Sequence, residues 1–186
     1  MLSFGDKSES NSISALDGTF INVVRIVQAR DVSKQDIYKN GSPVDCGVEL
    51  TVDIGRDFQP KMTICGNFKT EGTRLSWGSA FVVKDLLTQL GIKGELNDDG
   101  TIPAEILEQL NGRQIIRLSY LRGYDAGTDK KRYSDYKHIT VVDDFDNPVA
   151  VKAAGTKLTN RFIKDVAAGW VKNFSPDAGK SETSFP

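Results

Sequence analysis

Apolar and polar residues alternate along several stretches of this chain, and the period of the alternation changes partway. Val48, Leu50, Val52 and Ile54 are separated by Glu49, Thr51 and Asp53, the period-two pattern of a strand with one buried face. After a turn over 55–59, Met62, Ile64, Gly66 and Phe68 alternate with Lys61, Thr63, Cys65, Asn67 and Lys69. The two runs read as a hairpin, and Gly66 inside the second predicts a bulge or sharp bend. Upstream, residues 20–30 (FINVVRIVQAR) are rich in β-branched side chains, with Arg25 and Arg30 on the outer side, and predict a strand beginning at Thr19. The polar stretch 31–45 holds KNGSP and reads as a loop.

Past residue 78 the period becomes helical. Ser79 is placed to cap AFVVKDLLTQLG, in which Val82, Val83, Leu86, Leu87 and Leu90 share a face and Gly91 ends the helix. A turn at 97–100 leads to a shorter helix, PAEILEQL, with Pro103 in its first turn and Asn111–Gly112 at its end. Two further strands follow, RQIIRLSYLRG (113–123) and YKHITVVDD (136–144), joined by a long polar loop. Three strands, a helical insertion and two strands make a mainly β chain in the order of an OB-fold, a five-stranded, partly open barrel with its helix between strands 3 and 4. A β-sandwich or an α+β sheet with the same element order satisfies the pattern too.

The ends fit less directly. Residues 1–18 are polar and serine-rich, which predicts a flexible arm and no signal peptide. The expected domain spans 19–150, with 151–186 as a C-terminal helical or irregular segment whose last ten or so residues are disordered. Within that segment Leu158, Phe162, Val166, Trp170 and Phe174 form one helical stripe, suited to packing on the barrel or to a swapped or partner-binding arm. Gly169 opposes the helix by about 1 kcal/mol.

Charge changes the picture in one place. The whole chain of 186 residues carries a net charge of −1, so a polyanion site has to be a local patch. Between residues 113 and 138, Arg113, Arg117, Arg122, Lys130, Lys131, Arg132 and Lys137 face only Asp125, Asp129 and Asp135, a local charge of +4. The window also holds Tyr120, Tyr124, Tyr133 and Tyr136, four of the chain's five tyrosines. Cations neutralise phosphates and flat rings stack on unpaired bases, so this pairing of residue types suits single-stranded nucleic acid. The same composition also suits a hairpin that merely projects into water. Alternation puts Arg117 and Ser119 with Ile115 and Leu121 on one face, and Ile116, Leu118 and Tyr120 on the other, without a clean sorting into inside and outside.

Supporting candidates lie elsewhere. Lys61 and Lys69 point outward on the third strand, and Phe58 stands in a hairpin turn beside Arg56. Trp77 fits either a stacked base or, just ahead of an apolar helix, a lid on the core. Enzyme chemistry finds no foothold: His138 is the one histidine, Cys46 and Cys65 read as reduced thiols, and no phosphate-cradling glycine motif occurs. Asp143, Asp144 and Asp146 lack the spacing of a calcium loop. No metal or other cofactor is expected, and no apolar run is long enough for a membrane helix.

The segments SWGSAFVVKDLLTQLG, LNGRQIIRLSYLRG and KRYSDYKHITVV, within residues 20–145, resemble the small OB-fold single-stranded DNA-binding proteins encoded by bacteriophages. That resemblance implies sequence-tolerant coating of single-stranded DNA, or RNA, in replication, recombination or repair, in the host cell cytoplasm and without a cofactor. Such proteins often close on an acidic tail with a terminal aromatic that docks replication or recombination partners. Here SPDAGKSETSFP is only weakly acidic, with Phe185 as the partner-binding candidate or as part of a plain disordered end. A structural or protein-interaction module, such as a virion or assembly component without nucleic-acid affinity, is the alternative reading of the whole chain.

Overall fold

A computed structural model describes residues 12–13, 16–124, 128 and 130–176. The elements run β1 (Ser12–Ile13), β2 (Thr19–Asp31), β3 (Cys46–Asp53), β4 (Lys61–Gly66), β5 (Lys69–Glu71), β6 (Arg74–Ser76), α1 (Phe81–Gln89), α2 (Ala104–Leu110), β7 (Gln114–Tyr124), β8 (Lys131–Thr140) and α3 (Pro148–Ala167). The main sheet has the order β4-β3-β2-β7-β8, every neighbour antiparallel. β2 is long enough to serve two partners: residues 19–25 pair with β7, and 25–31 pair with β3. A register shift between Ile26 and Gln28 bends it between those duties. The two end strands, β4 and β8, come back beside one another without a ladder, and α1 packs on both across the seam. This is a nearly closed five-stranded antiparallel barrel of OB-like order.

Two apolar clusters hold it together. Val24, Ile26, Val48, Leu50, Ile64, Ile115 and Ile139 fill the barrel, closed by Val83 and Leu86 of α1 and Ile106 and Leu110 of α2. Ile21, Ile116, Leu118 and Tyr136 lie on the outside of the barrel wall and are covered by Val151, Ala154, Leu158 and Phe162 of α3. β7 is therefore sandwiched between barrel and helix, and its residues 115–119 are buried on both faces. That double burial is why alternation in this strand sorts poorly.

Several local expectations change. Gly66 makes no bulge: it pairs in register with Cys46, and a Cβ there would collide with the backbone of Ser79 as the chain crosses into α1. Ser79 does not cap that helix; its hydroxyl receives the Asn67 N–H at 2.8 Å, tying β4 to the crossing. β5 and β6 form a small hairpin around Gly72, too short to leave a periodic signal. α3 begins at Pro148 rather than after 151, capped by the Asn147 side chain, which accepts the N–H groups of Val149 and Ala150. It ends before Gly169, whose φ of 78° turns the chain. Trp170 thereby leaves the expected stripe and is 81% exposed, while Phe174 folds back onto Phe162. The N-terminal arm is tied at Ser12–Ile13, which pair with β2, and by Leu16, which packs on the outer cluster. Cys46 and Cys65 are free buried thiols, and burial pushes Cys46 up to about 12.

Candidate nucleic-acid interface

The β7–β8 hairpin carries two register shifts, between Arg117 and Ser119 and between Leu121 and Gly123. Ser119 lies opposite both Phe20 and Asp135, and Leu121 opposite Tyr133. Phe20, Ser119, Leu121, Tyr133 and Asp135 thus share the side that continues the barrel's inner wall, while Thr19, Tyr120 and Ser134 share the other. On the first side the Phe20 and Tyr133 rings meet edge to face, centroids 5.1 Å apart at 74°, with Tyr133 42% exposed. Below them Asp135 receives Arg117 and the Ser119 hydroxyl, both at 2.9 Å. Arg117 is buried, and its Nε meets no acceptor among the described residues.

Lys137 extends this surface across the open seam. Its ammonium donates to the Tyr38 hydroxyl at 3.3 Å and lies 5.8 Å from that ring's centroid. Tyr38, in the loop between β2 and β3, stays half exposed while its hydroxyl contacts the Cys65 sulfur of β4. Burial, then the Cys65 contact, push the Tyr38 hydroxyl up to about 12, so it remains a neutral donor at ordinary pH. Arg122, Lys130, Lys131 and Arg132 are exposed on the hairpin arms, and Tyr124 is half-buried. The surface thus gathers two aromatic groupings and a set of cations from three separate segments.

Other expected site residues have different duties. Tyr136 is 3% exposed, donates its hydroxyl to Asp165 and packs edge-on against Phe162. Tyr120 lies under α3 against Phe162 and Phe174. Tyr136 and Arg117 are buried and Tyr120 is half-buried, so none of the three stands free on the hairpin surface. Lys61 and Arg30 both hold Glu49, at 3.2 and 3.1 Å, and Lys69 holds Glu71 at 3.0 Å. Trp77 sits edge-on to Phe68 at 5.5 Å with Lys84 above it, as a lid beside an apolar cleft of about 440 Å³. Phe58 is 66% exposed in the β3–β4 turn, at the end of β4 away from Cys65. Phe185 lies outside the described residues, as do residues 125–127 and 129.

Sequence reasoning missed Phe20 and Tyr38. Tyr38 had a signal, an aromatic in a polar loop that OB barrels place beside the last hairpin; Phe20 looked like one more core residue of an apolar strand. His138 is a strut: its Nδ1 meets Asp85 of α1 at 2.9 Å, and Arg161 of α3 meets the same carboxylate at 3.1 Å. Burial alone would raise Asp85, but the hydrogen bond from His138 and the charge of Arg161 outweigh it and hold the carboxyl below its ordinary range. No three potential metal-binding side chains cluster among the described residues, and no described helix is long and apolar enough to cross a membrane. No family model, curated protein or solved structure matches the chain.

Proposed function

We propose that this chain binds single-stranded DNA with little sequence preference, in phage-type replication, recombination or repair, and that it acts by binding alone. The observation that carries the reading is the Tyr133–Phe20 pair on the inner side of a hairpin whose arms expose Arg122, Lys130, Lys131 and Arg132. The Lys137–Tyr38 contact continues it across the seam. Rings on one wall and cations around them supply the stacking and phosphate neutralisation that unpaired strands require and that a duplex, its bases already stacked, uses far less. Fluorescence anisotropy with an oligo-dT and a duplex of equal length tests it. Tighter binding of the oligo-dT is expected; equal or absent binding of the two overturns the proposal.

A protein-interaction role draws on a different feature, the cleft bounded by Phe68, Trp77 and the 59% exposed Leu75. Under that reading Leu75→Ser abolishes partner capture and leaves oligo-dT binding unchanged.

A further inference from the structure

A second aromatic cleft lies on the other side of Lys137. It has a volume of about 400 Å³ and is formed by the start of α1, the middle of β8 and the chain leaving α3. Phe81 and Trp170 line it, 46% and 81% exposed, with Lys137 and His138 between them and only the edge of the buried Tyr136 reaching it. Large apolar rings this exposed contribute little to the fold, and two of them on one cleft mark a surface that meets something flat and apolar.

Cations of α3 run beside the cleft. Lys157, Arg161 and Lys164 are spaced i, i+4, i+7 on α3 and therefore form one ridge along it. Arg161 stands beside His138, within 3.4 Å of its Nε2, so the ridge borders the cleft. Two carboxylates also line the cleft: Asp135 is neutralised by Arg117, while Asp165 accepts the Tyr136 hydroxyl and keeps its charge. Arg161 is shared with Asp85, which leaves Lys137, Lys157 and Lys164 as the cations without a carboxylate partner among the described residues. Lys137 belongs to both surfaces, since it lines this cleft and donates to Tyr38 on the other side.

We infer that the Phe81–Trp170 cleft is a base-stacking subsite on the same single strand, which passes from the hairpin wall over Lys137 and runs its phosphates along the Lys157–Arg161–Lys164 ridge. The inference rests on the proposed single-strand binding and extends it to α3. A strand following this course covers more nucleotides than the hairpin alone, so short and long oligomers respond differently to changes in the cleft.

The test uses the full chain, thymidine oligomers of about 6 and about 20 nucleotides, within and above the roughly 4–16 that one barrel holds, and two readouts. Trp77 and Trp170 are the chain's two tryptophans, so quenching by the long oligomer is compared between the unaltered protein, Trp77→Phe and Trp170→Phe. The expected result is quenching that persists in Trp77→Phe and disappears in Trp170→Phe. Trp170→Ala combined with Phe81→Ala, both surface changes, then weakens the long oligomer by roughly tenfold or more, in line with the loss of stacked bases, and leaves the short one within about twofold. Oligomers that bind with normal affinity, without Trp170 quenching and without loss in the double variant, overturn the subsite and leave single-strand binding standing. Absence of any oligomer binding by the unaltered protein overturns both.

Discussion

Tyr133 and Tyr136 look interchangeable in the sequence, three residues apart in one basic hairpin, yet the structure gives them opposite duties. Tyr133 is 42% exposed and touches Phe20 by its edge. Truncation to alanine removes one aromatic pair, worth about 0.5–1.5 kcal/mol, and the fold survives. If the ring stacks on a base, the same change weakens oligo-dT by about 1–3 kcal/mol, or roughly 5- to 150-fold. Tyr136 is 3% exposed, packed on Phe162 and bonded to Asp165. Truncating a buried ring of that size costs about 3–5 kcal/mol, a large part of the roughly 5–15 kcal/mol that a domain has. Tyr136→Phe is therefore the informative partner variant: it keeps the ring, loses about 1–3 kcal/mol through the orphaned Asp165 contact, and leaves affinity unchanged. Urea denaturation and oligo-dT anisotropy at one fixed salt concentration measure both quantities. A Tyr133→Ala protein that binds as tightly as the unaltered chain contradicts stacking on that ring, and a folded Tyr136→Phe protein that has lost affinity contradicts a purely structural role for Tyr136.

Two further outcomes follow from charges inside the fold. Asp135→Ala strands the buried Arg117 guanidinium; breaking a buried pair costs about 3–5 kcal/mol, and Asp135, whose side chain is 32% exposed, belongs at the lower end. A urea-measured loss below about 1 kcal/mol contradicts the pairing. Asp85 and Glu49 are both held below their ordinary range: in each, burial acts upward and is outweighed, by His138 and Arg161 at Asp85 and by Lys61 and Arg30 at Glu49. Their charged forms contribute full stability above the usual carboxylate values of about 4, and that contribution disappears as pH falls through the depressed folded values. Urea midpoints therefore drop from pH 7 to pH 3, and drop less in Asp85→Asn; an equal drop in that variant removes Asp85 from the account.

The parts of the fold that could be read in advance are those in which one face alone is buried. The alternation in 48–53 and 61–64 marks β3 and β4 because their inner residues meet the core, although the strand expected over 61–69 stops at Gly66 and Lys69 falls in β5. α1 shows its helical period for the same reason. β7 resisted because α3 covers its outer wall, so Ile116 and Leu118 are as buried as Ile115. Tyr136 reads as surface chemistry for want of that helix, which supplies Phe162 and Asp165, and Arg117 does so because its partner Asp135 lies across the hairpin on β8. The Gly169 turn moved Trp170 from an expected core stripe to the surface. The basic hairpin was legible as composition, but its partners Phe20 and Tyr38 come from distant segments that only barrel closure brings near.

The salt dependence of oligo-dT affinity decides whether a cationic and aromatic surface around the β7–β8 hairpin holds an unpaired strand. Plotted log against log, the unaltered protein should show a negative slope of about −0.7 per phosphate contacted. Lys130→Gln, Lys131→Gln and Lys137→Gln combined should make that slope shallower by up to about 2, without altering the urea midpoint. A slope that the triple substitution leaves unchanged, or affinity indifferent to salt, contradicts the assignment of the strand to this hairpin.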